Sequence, residues 1–170
     1  MNFQEMLINA VNSYRQYEQK NQLESLPETR FKNAFVELDV ALATLADDLG
    51  WFVANADRKM VDHEAILRDY VRVIRLFLLV ANLRNWNRDV LVDDKQLAKL
   101  NVQFGKTDYS KIYLAIKNMI YAAYFKHNQV DFNHAWKLIL KLGLADLKLK
   151  PDDIKNEFDR QTQLTPIDYD

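Results

Sequence analysis

The sequence predicts an all-α fold, and three observations predict it. Glycine and proline occur only three times each in 170 residues, whereas sheet proteins need many turn residues. Hydrophobic residues make up 49 % of the chain and recur at i, i+3 and i+4, the spacing of one face of a helix. No glycines cluster into a phosphate-cradling loop, so neither GxxxxGK nor GxGxxG occurs. The length suits a single domain with a sizeable core, expected over residues 1–170 with an irregular tail from about 162.

Each element follows from its local pattern. Phe3, Met6, Leu7, Ala10, Val11, Tyr14 and Tyr17 predict a first helix from about residue 3 to about 20. The polar stretch NQLESLPE reads as a loop. A second helix begins near Glu28 or Thr29, carries Phe31, Ala34, Phe35, Leu38, Ala41, Leu42, Leu45 and Leu49, and stops at Gly50. Trp51 to Arg58 reads as a connector or a short helix. Asp62 caps a long helix that is apolar over much of its circumference, from Ile66 to Ala81. A helix so apolar is expected to be buried on several sides, and its excess suggests burial against a second copy. A short helix follows from Asp94 to Leu100, then a loop from Asn101 to Thr107. Asp108 caps a helix reaching about Lys126, Asp131 caps another ending near Gly143, and Pro151 opens a last helix of about ten residues.

Several functions are excluded by composition. The formal charge of −1 offers no basic field, so no nucleic-acid partner is expected. Cysteine is absent, which removes thiolate metal sites and cysteine nucleophiles and agrees with a cytoplasmic setting. The N-terminus lacks the apolar core of a signal peptide. The run Val71 to Leu83 is broken by Arg72 and Arg75 and is too short to span a bilayer, so no membrane partner is expected. His63, His127 and His134 lack zinc spacing and read as surface or capping residues. No serine sits in a GxSxG turn. The aromatics Tyr113, Tyr121, Tyr124, Phe125, Phe132 and Trp136 read as core rather than as a base-stacking platform. Lys137, Lys141, Lys148 and Lys150 read as a solvated face.

What remains is acid on apolar helices. Glu37 lies within the second helix's stripe and Asp69 within the long helix. Carboxylates on facing helices serve either as ligands to a hard cation or as salt-bridge partners, and arginines are close at hand.

Two segments, FVELDVALATLADDLGWF (35–52) and ILRDYVRVIRLFLLVAN (66–82), resemble the metal-binding helices of the dimeric all-α dUTPases, within the MazG-like nucleotide pyrophosphohydrolase superfamily. The opening EMLINAVNSYRQY and the closing AWKLILKLGLADLKLKPDDIKNEFDRQ resemble the family's terminal helices. The resemblance implies the fold of an all-α nucleoside triphosphate pyrophosphatase. It also implies a homodimer, magnesium as cofactor, and hydrolysis of a nucleoside triphosphate such as dUTP to the monophosphate and pyrophosphate. Glu37 and Asp69 match the first and third acids of the family's E-x-x-E and E-x-x-D pattern and would be the metal ligands and catalytic carboxylates. Asn82 matches a recurrent asparagine, and Trp51 a tryptophan after the first metal helix. The second and fourth acids are replaced by Val40 and Arg72. Arg72 is a fixed cation where the family holds magnesium. It would either contact nucleotide phosphate or pair with Glu37 or Asp69 in a protein that has lost the chemistry. Arg160 and Gln161 stand where the family has a lysine–asparagine pair. Asp47 and Asp48 are too far along the helix from Glu37 to share an ion with it.

Overall fold

The computed structural model describes residues 1–53, 62–102 and 105–163, and all the regular structure among them is helical. Asn2 caps α1 (Phe3–Lys20) by accepting from the Glu5 backbone N–H. Pro27 stands in the first turn of α2 (Pro27–Leu49), and Gly50 ends it in the left-handed conformation at φ 62°. Asp62 caps α3 (His63–Leu83) through the amides of Glu64 and Ala65. A single-turn α4 (Asn87–Val90), which the mixed sequence of that stretch concealed, precedes α5 (Asp94–Leu100) with its Asp93–Gln96 capping box. Asp108 caps α6 (Tyr109–Phe125).

Three expectations shift. The cap of α7 (Gln129–Lys141) is Asn128, whose side chain accepts from Val130 and Asp131, so Asp131 lies inside the first turn. The chain does not stop at Gly143 but widens into a π-helical segment, Leu142–Asp146. The last helix, α8 (Pro151–Gln163), extends slightly past the expected start of the irregular tail. Residues 164–170, and residues 54–58 of the expected connector, lie outside the described residues.

The core is organised around α3. Tyr70, Val71, Val73, Phe77, Leu78, Val80 and Ala81 are almost wholly removed from solvent. The helix packs most extensively on α2, and also on α1 and α8. The apolarity of α3 is therefore spent within one copy of the chain and gives no reason to expect a second. Phe77, Phe132 and Trp136 pack ring against ring beneath α1, with Phe3 meeting Trp136 edge-on at 5.4 Å. No helix among the described residues is long and apolar enough to cross a membrane.

Within the π-helical segment, Gly143 faces a buried ring. The Tyr70 ring, fully buried, lies directly against Gly143, and its hydroxyl donates to the Ile139 carbonyl at 3.1 Å. A β-carbon at position 143 would stand 2.1 Å from Tyr70 Cζ, inside any permissible contact, and the ring is fully buried. Gly143→Ala should therefore destabilise the fold by about 1–3 kcal/mol, the usual cost of overpacking a dense core. Urea unfolding followed by circular dichroism measures this, and a loss below the experimental error would show that Tyr70 can relocate.

Candidate functional site

Asp69 is the buried acid of α3, with 6 % of its surface exposed. A carboxylate taken out of water is costly unless it is paired or protonated. Among the described residues its ion pair is with the neighbouring Arg68, whose Nε lies 3.4 Å from Oδ1 and whose side chain is itself half exposed. No donor among the described residues reaches Asp69 Oδ2. The remaining neighbour is a second carboxyl, Asp48 near the end of α2, within hydrogen-bonding reach. Burial first, and then Asp48, push the Asp69 carboxyl up to about 6, against the smaller opposing pull of Arg68. Below about pH 6 the Asp69 carboxyl keeps its proton, with Asp48 close enough to favour that form.

Glu37 is elsewhere. It is exposed on the surface of α2 and contributes, with Glu18, to the field that pushes the half-buried Tyr14 hydroxyl of α1 up to about 12, burial being the first cause. Glu18 in turn is closed by Arg30 at 2.6 Å. Eleven residues separate Glu37 from Asp48, about 16 Å along the helix axis. Glu37 and Asp69, the two expected metal ligands, are thus not brought together. Val40 is exposed as well, 49 % of its surface facing solvent, so a carboxylate there would not project into the α2–α3 seam.

The other expected residues are also dispersed. Arg72 is half-buried, and among the described residues it forms no ion pair with Glu37 or Asp69. Asn82 lies in the last turn of α3, where its carbonyl accepts from the Asn85 amide, about 20 Å along the axis from Asp69. Arg160 makes a two-pronged bond to Glu157 at 2.7 Å through each nitrogen. Gln161 fastens α8 to α3 by donating to the Arg68 carbonyl at 2.8 Å. Trp51 donates to Ser110 Oγ at 3.0 Å and packs against Tyr109 and Tyr113, an anchor between the end of α2 and α6. His63, His127 and His134 are all exposed. Among the described residues, no group of three acids or histidines could hold a metal ion.

Sequence reasoning missed Asp48 as the partner of Asp69. Its signal was present: Asp48 follows Ala41 and Leu45 at i+7 and i+3, on the buried side of α2. Two helices joined by one connector run back along each other, so the end of α2 meets the beginning of α3. Asp48 is therefore opposed to the first turns of α3, and Glu37 is not.

No family model, no curated protein and no solved structure matches this chain.

The raised Asp69 carboxyl makes stability depend on pH in a fixed direction. The folded chain holds the proton on Asp69 up to about pH 6, whereas an unfolded aspartate releases it near 4. This contribution is therefore complete below about pH 4, is lost as pH rises through about 6, and stays lost above. Asp69→Asn, which cannot ionise, should raise the melting temperature at pH 8 relative to the native chain and flatten the slope between pH 4 and 7. Thermal melts across that range measure it. A variant less stable than the native chain at pH 8 would mean that the Asp69 charge is used rather than tolerated.

Proposed function

We propose that this chain is a binding or interaction protein built on a helical scaffold resembling that of the all-α nucleoside triphosphate pyrophosphohydrolases, and that it does not carry out their hydrolysis. The observation supporting this reading is the separation of its acids. Glu37 sits at the surface beside Tyr14, while Asp69 is closed against Asp48.

Magnesium is the cofactor implied by the resemblance, and the donor set does not fit it as a resident ion. Magnesium demands octahedral oxygen coordination and is usually held by one or two carboxylates together with substrate phosphates. Asp48 and Asp69 are two carboxyls, but burial and Asp48 hold the Asp69 proton up to about pH 6, and the guanidinium of Arg68 lies 3.4 Å from Asp69 Oδ1. A metal would have to displace the arginine and, below about pH 6, the proton as well. Without ions to neutralise charge on the phosphates, attack of water on phosphorus lacks its main source of stabilisation. Arg72 is a cation available for phosphate, but a single guanidinium does not replace a pair of metal ions.

The test is direct. With dUTP and the other nucleoside triphosphates at millimolar magnesium, the purified chain should release no pyrophosphate above background. Titration calorimetry should show no saturable magnesium binding. Pyrophosphate release that disappears in Asp69→Asn would overturn the reading and restore the hydrolase.

A further inference from the structure

The first two helices are held apart on the surface of α3. Both α1 and α2 pack against α3, and they scarcely meet each other. Residues 21–26 join them. Between the carbonyl end of α1, this connection and the beginning of α2 lies an open cleft of about 540 Å³, within the size range of small-ligand sites. Arg15 and Glu18 line it from α1, Leu23 and Glu24 from the connection, and Arg30 from α2.

We propose that this cleft binds a small zwitterion of the amino-acid class, with its carboxylate on Arg15 and Arg30 and its ammonium at Glu24. The floor of the cleft is built from a buried acid. Glu18 is 9 % exposed, and a carboxylate so far from water must be paired. Arg30 Nε lies 2.6 Å from its Oε1, and the Tyr14 hydroxyl is bonded to it as well. That ion pair engages the inner nitrogen of the guanidinium and fixes the group in place. Arg30 makes no other ion pair among the described residues, so its two terminal nitrogens are donors for a ligand. Arg15 stands one turn before Glu18 on the same side of α1. Among the described residues it has neither an ion pair nor a hydrogen bond.

Charge selects the ligand. Two guanidiniums on one cleft suit a carboxylate, which each can hold through a planar fork of N–H groups. The cleft is not a basic field, because Glu18 and Glu24 match Arg15 and Arg30. Glu18 is engaged by Arg30, so Glu24 is the acid left to a ligand, and among the described residues it has no ion pair. A doubly charged anion such as phosphate would be repelled by Glu24, whereas a zwitterion satisfies both signs. The negative pole of the α1 dipole lies at the same end and favours an ammonium there. Leu23, 43 % exposed, offers an apolar surface to the ligand's side chain. Arg30 stands about 27 Å along α2 from Asp48. Binding here therefore does not depend on the Asp69 site or on whether the chain hydrolyses nucleotides, and the two ideas fail separately.

Nitrogen-15 NMR of the whole chain, titrated with the common amino acids in pools and then singly, tests it. At least one should bind saturably with a dissociation constant of about 1 mM or below and shift the backbone amides around Arg15, Glu24 and Arg30. Arg15→Ala, at an exposed position, should weaken that binding at least about tenfold and leave the far-ultraviolet circular dichroism unchanged. Glu24→Gln should weaken it too. Acetate, which lacks the ammonium, should bind at least about tenfold more weakly than the amino acid. No saturable shift from any pool, shifts confined to other parts of the chain, or undiminished binding in Arg15→Ala would overturn the proposal. Acetate binding as tightly as the amino acid, or a Glu24→Gln variant that binds like the native chain, would overturn the zwitterion as the ligand.

Discussion

The burial of α3 is the constraint on which the rest of this structure depends. A helix with apolar residues around most of its circumference must be covered by other elements. Here α2 takes the largest share, with α1 and α8 closing other sides. The aromatic group of Phe77, Phe132 and Trp136 extends that core toward α7. The tight seat of Tyr70 against Gly143, within the π-helical segment Leu142–Asp146, follows from the same demand.

That burial also decides what the acids of the chain can be. Asp69 is carried into the core because its neighbours Tyr70 and Val71 must be there. Once inside, it needs either a cation or a proton. Arg68 supplies a partly exposed cation on one side, and Asp48 on the other helps keep the Asp69 proton up to about pH 6. Glu37, on the same helix as Asp48 but three turns away, remains at the surface and meets α1 instead. Two carboxyls that look alike in the sequence thus have opposite environments, and the difference arises from the register of α2 on α3. A buried carboxyl that favours its protonated form and already has an arginine beside it is a poor cradle for magnesium.

Much of the fold was legible in the sequence, because helix periodicity, caps and breakers are local. Asn2, Asp62, Asp108 and Gly50 act where their chemistry places them. The site was less legible for a physical reason. Sequence spacing fixes which residues share a helix face, but pairing across two helices depends on how far one slides along the other. Asp48 was set aside because it lies far from Glu37, which is true and irrelevant to its distance from Asp69. Tyr121 and Phe125 show the same limit from the apolar side. Their helical spacing marked them as core, yet α6 is covered on too few sides to bury them. Arg72 shows it for charge, since its position one turn from Asp69 did not produce an ion pair.

The central claim is that burial and the neighbouring Asp48, and not Glu37, set the protonation of Asp69. Carbon-13 NMR titration of the Asp69 carboxyl tests it most directly. The native chain should show Asp69 titrating near 6. In Asp48→Asn the value should fall while staying above that of an ordinary aspartate, because burial is the larger cause, and Glu37→Gln should leave it unmoved. An Asp69 that titrates near 4 in the native chain, or one that responds to Glu37→Gln and ignores Asp48→Asn, would contradict the account.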